Sequence, residues 1–196
     1  MAEISVEQIK KLKELSGAGL TDAKKALVEA DGDFDKALEA MRKKGLTKAE
    51  KRGDRETREG LVESYIHDGR LGAIVEVNCE TSFVAKTDEF KTLAHQIAMQ
   101  VASMAPLYVS ESDIPAEIMA AKMKELEENF KGPENMKEQI LAGQVKKAFS
   151  DKVLMNQPYI LDDTKTVEQF IKEAIAKTGE NITVRQFKRI ELGVTE

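Results

Sequence analysis

The sequence predicts an α+β protein, in which a three-helix domain precedes a small antiparallel sheet packed with helices. Through the first 45 residues, apolar side chains recur at helical spacing. Between residues 61 and 79 they alternate with a period of two on either side of Asp68-Gly69, a dipeptide typical of two-residue hairpin turns. Helical spacing returns after residue 88. Because strands and helices do not alternate strictly, the pattern favours α+β over a parallel α/β fold.

The first helix has a well-signalled beginning and end. Ser5-Val6-Glu7-Gln8 is a capping box, so a helix is expected from about Val6 to Leu15. Gly17-Ala18-Gly19 then breaks the helical pattern.

Two more helices complete the first domain, which is predicted over residues 1–46. Thr21 or Asp22 is expected to cap the second helix, and Asp33 the third. Gly45 is expected just past the end of the third helix, where glycine commonly takes the left-handed conformation.

Residues 47–58 are predicted to form a charged linker. The segment 48–58 holds five basic and three acidic residues and no large apolar one. Because the acids are interspersed and no aromatic residue accompanies the bases, the pattern favours a solvated, partly helical linker over a nucleic-acid patch.

The core domain is predicted over residues 59–196, beginning with a hairpin of strands 61–67 and 71–79. One face of the second strand is apolar and comprises Ala73, Val75, Val77 and Cys79. The next elements are a helix over 88–105 and a helical segment over 113–157, which Gly132-Pro133 breaks and Gly143 divides again. The last are a helix begun by the capping box Thr166-Val167-Glu168-Gln169 and stopped by Gly179, and a strand over 182–192.

Composition favours a cytoplasmic binding protein over an enzyme. The net charge of -5 argues against a surface devoted to nucleic acid, and the single cysteine excludes an internal disulfide and fits a reducing compartment. No signal peptide or membrane span is expected. His67 and His95 have no ligand-spaced partners, and no phosphate loop or nucleophile elbow is present, so neither a metal nor a cofactor is predicted.

The stretch Asn78–Phe90 ("NCETSFVAKTDEF") contains an apolar pair between two candidate helix caps. Ser82 is one candidate, and Thr87 or Asp88 is the other. From the pattern alone Phe83-Val84 is expected in the core, because an apolar pair at a strand–helix junction is more often core than contact. Phe90 lies seven residues after Phe83, so one continuous helix could bury both phenylalanines.

Long stretches of the chain, in order, closely resemble bacterial translation elongation factor Ts in its short form. They are "SGAGLTDAKKAL" from Ser16, "REGLVESYIHDGRLGAIVEVNCETSFVAK" from Arg58, "GPENMKEQILAGQVKK" from Gly132, "NQPYILDDTKTVEQFIKEAIAK" from Asn156 and "AKTGENITVRQFKRIELG" from Ala176. The resemblance implies a ubiquitin-associated-like first domain and a guanine-nucleotide exchange factor for elongation factor Tu, with GDP as the nucleotide released. The alternatives are a helical module that recognises another protein and an RNA-associated protein that uses the segment 48–58.

The resemblance also implies which residues meet the partner. The family presses a Thr-Asp-Phe-Val stretch against elongation factor Tu near its magnesium and phosphate loop, and its phenylalanine enters an apolar pocket. The matching residues here are Thr81, Ser82, Phe83 and Val84, so a serine stands in place of the family's aspartate.

A second set of contacts is implied in the first domain, at the positions matching Lys13, Leu20, Thr21 and Lys24. Methionines are common in the family where Leu20 and Thr21 stand. Some short members form dimers through a cysteine in the last strand; the matching position is Lys188, so a disulfide is excluded there and only a non-covalent homodimer is compatible.

Overall fold

The structure, a computed structural model, describes residues 4–130, 132–133 and 136–194, apart from the side chains of Leu46, Lys48 and Glu50. Two charges of the predicted linker, Lys48 and Glu50, therefore lie outside the described side chains. The helices are α1 (Val6–Ser16), α2 (Leu20–Glu29), α3 (Phe34–Glu50), α4 (Ser82–Ala85), α5 (Asp88–Met104), α6 (Ala116–Glu128), α7 (Lys137–Phe149) and α8 (Val167–Thr178). The strands are β1 (Glu59–His67), β2 (Leu71–Cys79), β3 (Pro158–Tyr159), β4 (Asp162–Thr166) and β5 (Ile182–Glu191).

The chain forms two compact units. Unit 1 takes in the chain up to residue 63, together with 76–95 and 169–184, and unit 2 takes in 64–75, 96–168 and the chain from 185 onward. Strands β1, β2 and β5 form one sheet in the order β1-β2-β5, and β3 pairs antiparallel with β4. A three-helix bundle followed by a small antiparallel sheet packed with helices confirms the predicted fold class.

Helices α1, α2 and α3 of unit 1 pack around a small apolar core. Its buried members are Leu12, Ala23, Leu27, Ala37 and Met41. The predicted capping box is present: Ser5 Oγ accepts from the Gln8 N–H at 3.1 Å, and Gln8 Oε1 accepts from the Ser5 N–H at 3.0 Å. Because the box satisfies two N–H groups at the helix end, α1 begins at the predicted residue.

The predicted cap of α2 is wrong and that of α3 is confirmed. Helix α2 begins at Leu20, and Gly19 is its N-cap, so neither Thr21 nor Asp22 occupies that position. Glycine is among the preferred N-cap residues, and the Gly19 carbonyl accepts the first helical bond from the Ala23 N–H at 3.0 Å. Asp33 caps α3 by accepting the Lys36 N–H at 3.1 Å.

Helix α3 continues through Gly45 to Glu50, so the prediction that Gly45 ends it is wrong. A Cβ atom at Gly45 would lie 3.2 Å from the Cβ of Ala176 in α8. The glycine therefore permits a close approach between two helices of unit 1, which the local sequence does not reveal.

The hairpin of β1 and β2 has the predicted turn. Asp68 and Gly69 have φ values of 49° and 66°, and the Arg70 N–H donates to the His67 carbonyl at 3.0 Å. Two positive φ values are the mark of a type I′ turn, which suits the twist of a hairpin. The predicted apolar face of β2 is buried; it comprises Ala73, Val75, Val77 and Cys79.

In unit 2, helix α7 runs unbroken through Gly143, so the prediction that Gly143 divides this region is wrong. A glycine inside a helix costs only about 1 kcal/mol relative to alanine, which the apolar face of α7 outweighs. That face contributes Val145 and Phe149 to a core with Ile114 and Val153.

The last helix and strand largely follow the prediction. Helix α8 begins at Val167, and Gly179, with φ of 78°, follows its end. Strand β5 begins at Ile182, and its early residues Ile182 and Val184 are buried. Ile190 is 74% exposed, so the apolar pattern of β5 continues beyond the part of the strand that the core covers.

Candidate functional site

A single helical turn, α4, follows the end of β2 after two residues. Thr81 has extended backbone angles and is its N-cap, with Oγ1 accepting from the Val84 N–H at 3.4 Å. Ser82 is the first helical residue, so the prediction that Ser82 is the cap is wrong. Thr81 takes the role because its side chain reaches the N–H three residues on, as N-cap side chains do.

The turn separates the apolar pair Phe83-Val84. Phe83 is 79% exposed, whereas Val84 is 7% exposed and Ala85 is 8% exposed. Successive residues of a helix point about 100° apart, so one turn can bury Val84 and Ala85 while its other side carries Phe83 outward. The prediction from pattern alone that both members of the pair are core holds for Val84 and is wrong for Phe83.

The chain does not continue as one helix from Phe83 to Phe90. Thr87 Oγ1 accepts from the Phe90 N–H at 3.2 Å and caps α5, which begins at Asp88. Of the two predicted caps, Thr87 is therefore the cap and Asp88 is not. Phe90 is 1% exposed, so two phenylalanines close in sequence have opposite environments.

Thr81 is held at each of its polar backbone and side-chain groups. Its N–H donates to Glu180 Oε2 at 3.0 Å, and its hydroxyl donates to Glu180 Oε1 at 2.6 Å. Its carbonyl accepts from the Cys79 thiol at 3.2 Å and from the Ala85 N–H at 3.2 Å. Thr81, which precedes the exposed turn, is therefore held by hydrogen bonds at its N–H, its hydroxyl and its carbonyl.

A second group of hydrogen bonds runs from Glu80 to the loop before β5. Glu80 Oε1 accepts from the Asn181 N–H at 2.6 Å, and the Arg55 guanidinium lies 3.4 Å from the same carboxylate. The Asn181 amide donates to the carbonyls of Gly53 and Arg55 at 3.2 and 2.7 Å. Asn181 is only 2% exposed, so its hydrogen bonds join three chain segments of unit 1 with little competition from water.

Cys79 is a buried structural thiol beneath this turn. It is 0% exposed. Burial, followed by the nearby Glu180 carboxylate, raises the pKa of the Cys79 thiol above its ordinary value. The thiol therefore stays protonated at neutral pH, which opposes reaction as a nucleophile.

The four candidate residues of the first domain lie on the exposed sides of α1 and α2. Leu20 is 51% exposed at the start of α2. Lys13, Thr21 and Lys24 are exposed as well, whereas Leu12, Ala23 and Leu27 of the same helices are buried. Unit 1 thus carries two sets of candidate residues, one at the α1–α2 turn and one on α4.

Sequence reasoning missed Glu180 and Asn181. Both follow Gly179, where a loop after a helix gives no local sign of a function. Each is bonded to a residue about a hundred positions earlier in the chain, and only tertiary structure reveals such a pairing.

Comparison with known proteins identifies the family. A model of the family described as Elongation factor TS matches residues 4–194. The chain belongs to the elongation factor Ts family. That membership implies the family's role in translation elongation, nucleotide exchange on elongation factor Tu.

Individual elongation factor Ts proteins match the chain over nearly all of its length. The protein from Thermotoga sp. strain RQ2 is 52% identical over 193 residues, covering 97% of each chain. The protein from Moorella thermoacetica is 48% identical over 194 residues, covering 97% of this chain and 96% of its own. The protein from Rippkaea orientalis is 52% identical over 199 residues, 98% of this chain and 80% of its own. The chain thus covers nearly all of the Thermotoga and Moorella proteins and four-fifths of the Rippkaea protein.

The part of this elongation factor Ts family member that the structure describes shows neither a metal cluster nor a membrane-spanning helix. Within those residues, no three His, Cys, Asp or Glu side chains are grouped so as to hold a metal ion. Among the described helices, none combines the length and apolar character needed to cross a bilayer.

Proposed function

We propose that this protein binds elongation factor Tu–GDP in the cytoplasm, disturbs the magnesium and phosphate site of that partner and so promotes GDP release. Family membership supports the general role. The observation that supports the detail is Phe83, a large apolar side chain that is 79% exposed on a one-turn helix with a buried opposite side. An aromatic side chain kept in water at the tip of a fixed turn is an anchor for a partner's pocket.

The size of Phe83 is adequate for the task. A phenylalanine buries roughly 150–250 Å² when fully enclosed, which at about 25 cal/mol per Å² gives an upper limit of roughly 4–6 kcal/mol before the costs of association. An exchange factor must bind the nucleotide-free partner more tightly than the nucleotide-bound one, and this coupling is reciprocal. A pocket that opens only when GDP and magnesium leave would provide that difference.

Thr81, Ser82 and Val84 support Phe83 in different ways. Thr81 caps the turn, and the buried side chain of Val84 packs the turn against the core. Ser82 is exposed at the first helical position, where it can reach the partner. We assign the main contact with the partner to Phe83. Thr81 and Val84 hold Phe83 in place, and Ser82 lies next to it where the partner can be reached.

The α1–α2 turn provides the second proposed contact. Leu20 offers an exposed apolar surface, and Lys13 and Lys24 offer positive charge on either side of it in sequence. Thr21 adds a hydroxyl at the start of α2. We expect this set to contribute affinity for the partner, since it lies on a separate part of unit 1 from Phe83.

The direct test uses elongation factor Tu loaded with fluorescent GDP. Wild-type protein should accelerate GDP release, and Phe83→Ala should reduce the acceleration by about tenfold or more. The matched control is Leu161→Ala, which removes an apolar side chain that is 56% exposed in unit 2 and should leave the rate unchanged. An unchanged release rate with wild-type protein would refute the proposed function, and full activity of Phe83→Ala would refute the proposed site alone.

The contribution of the first domain is measured in the same assay. Leu20→Ala should raise the protein concentration needed for half-maximal release, with little change in the maximal rate. A fall in the maximal rate instead would place Leu20 with Phe83 in the release step.

Ser82 is the departure from the family that the assay can also address. If Phe83 makes the main contact, Ser82→Asp should change GDP release by no more than about fivefold, since an exposed charge contributes about 1 kcal/mol or less. A much larger gain would show that this protein works without a contact that a carboxylate can make.

We also propose a non-covalent homodimer formed through unit 2. Ile66, Ile190 and Leu192 are 71%, 74% and 63% exposed, an unusual concentration of large apolar side chains at the ends of β1 and β5. Covering them against a second copy would remove this surface from water. Sedimentation equilibrium should show a dimer that Ile190→Lys converts to monomer, while Leu161→Lys leaves it intact; a monomeric wild type would refute the proposal.

A further inference from the structure

Two chain segments that are far apart in sequence, 80–81 and 180–181, are joined by hydrogen bonds beside the α4 turn. Glu180 accepts the Thr81 N–H at 3.0 Å, and Glu80 accepts the Asn181 N–H at 2.6 Å. Glu180 thus accepts the N–H of the residue that follows Glu80, and Glu80 accepts the N–H of the residue that follows Glu180. The arrangement is reciprocal, and all four residues belong to unit 1.

Glu180 accepts more of the hydrogen bonds between these two segments than Glu80 does. Its second oxygen, Oε1, also accepts the Thr81 hydroxyl at 2.6 Å, so one carboxylate spans two donors of one residue. Hydrogen bonds to an ionised carboxylate are shorter and stronger than those between neutral groups. The paired geometry restrains the orientation of Thr81 as well as its position.

Helix α4 depends on such external restraints. It has four residues, and backbone bonds at its ends run from the Ala85 N–H to the Thr81 carbonyl at 3.2 Å, from the Lys86 N–H to the Phe83 carbonyl at 3.3 Å and from the Thr87 N–H to the Val84 carbonyl at 3.0 Å. A single helical turn is not stable in isolation, because nucleation fixes several residues for very few hydrogen bonds. The direction of the Phe83 side chain is therefore set by what holds the two ends and the inner side of the turn.

Val84 and Ala85 hold the inner side by burial, and Thr87 begins α5 after the turn. At the start of the turn, the restraint on Thr81 from outside its own segment comes from Glu180. Cys79 and Ala85, which bond to the Thr81 carbonyl, are buried residues of the same stretch of chain and restrain the other side of Thr81.

We propose that Glu180 is the positioning residue for Phe83 in nucleotide exchange: its carboxylate binds Thr81 by hydrogen bonds and thereby sets the orientation of α4. This proposal rests on the proposed function of Phe83. Glu180 acts through Thr81 and needs no contact of its own with the partner. Loss of the carboxylate should leave Phe83 present and exposed but no longer held in one direction.

The first test uses the free protein and amide hydrogen exchange. Glu180→Ala should accelerate exchange of the Thr81 and Val84 amides by about tenfold or more, because a hydrogen bond to a charged group is lost at the cap. The Phe90 amide, bonded to Thr87, is the internal control and should keep its protection. Unchanged protection of Thr81 and Val84 would overturn the proposal.

The second test is a double-mutant cycle in the GDP-release assay. Glu180→Ala should lower the maximal release rate several-fold with little change in the half-saturating concentration, and should cause no further loss in protein that already carries Phe83→Ala. An equal loss in both backgrounds, or no loss in either, would overturn the proposal.

Two variants separate positioning from general damage. Glu180→Gln should fall between wild type and Glu180→Ala, because its amide oxygen can accept only one of the two Thr81 donors as well as before. Asp163→Ala removes an equal charge from an exposed position of β4 in unit 2 and should match wild type. If wild-type protein does not accelerate GDP release at all, the proposed function fails, and hydrogen exchange in the free protein still decides whether Glu180 holds the turn.

Discussion

Gly17 packs directly against Lys177. A Cβ atom at Gly17 would overlap the Cγ of Lys177 and lie 3.2 Å from its Cα. Gly17 also ends α1 in the left-handed conformation, with φ of 65°. The turn that precedes Leu20 therefore rests on the end of α8, and Glu180 follows that same helix end.

This contact predicts a large effect for Gly17→Ala. The side chain must be accommodated in a left-handed conformation and against backbone, so we expect the free energy of unfolding to fall by about 1–3 kcal/mol. Urea denaturation measures the change. The matched control is Gly143→Ala in α7, because an added Cβ atom there would have no neighbouring atom within 4 Å. Alanine is more stable than glycine inside a helix, so this variant should raise the unfolding free energy by about 0.5–1 kcal/mol. Equal stability of Gly17→Ala and wild type would contradict the close contact.

Phe83 and Phe90 should respond oppositely to truncation. Phe83→Ala removes a side chain that is 79% exposed, so the unfolding free energy should change by less than about 0.5 kcal/mol. Phe90→Ala empties a site that is 1% exposed and should cost about 3–5 kcal/mol. Thermal or urea denaturation of both variants is the measurement. A strongly destabilised Phe83→Ala would mean that Phe83 is part of the core.

The two caps of this region give a third prediction. Thr87→Ala should lower the unfolding free energy by about 1 kcal/mol, because the Phe90 N–H loses its acceptor at the start of α5. Ser82→Ala should change it by less than about 0.5 kcal/mol, since Ser82 is exposed and is not the cap of α4. Comparable losses in the two variants would restore Ser82 as a cap.

The buried thiol gives a prediction for alkaline pH. Burial raises the pKa of Cys79 in the folded protein above the ordinary value of about 8.5, so the unfolded chain loses this proton first as the pH rises. The associated stability is fully present below about pH 8.5 and is lost as the pH rises through the folded-state pKa. The difference in unfolding free energy between wild type and Cys79→Ala should therefore shrink as the pH rises above about 8.5.

Thiol labelling provides a separate check on Cys79. A thiol-specific reagent at pH 8 should leave the native protein unmodified and react only after unfolding, because the side chain is 0% exposed. Rapid labelling of the folded protein would show that the segment around Thr81 opens readily.

Much of the fold follows from local patterns. The capping box at Ser5 and the turn at Asp68-Gly69 appear where the sequence predicts them, because each is made by residues that are neighbours in the chain. The predicted cap of α2 fails, and so do the predictions that helices end or divide at Gly45 and Gly143. A helix keeps a glycine when packing on the rest of the helix outweighs a cost of about 1 kcal/mol, and local sequence does not report that packing.

The candidate site divides in the same way. Family resemblance in the sequence selects Phe83 among seven phenylalanines, and helical geometry allows one member of the pair Phe83-Val84 to face outward. Which member does so is decided by tertiary structure, because burial of Val84 at 7% exposure leaves Phe83 on the opposite side of the turn.

By itself, the sequence determined the order of elements and the family, and its resemblance to that family selected Phe83. Only the tertiary structure decided that Thr81 is the cap and that Glu180 holds it. The physical reason is distance along the chain: caps and turns form between near neighbours, whereas the Thr81–Glu180 hydrogen bonds join residues that only the folded core brings together.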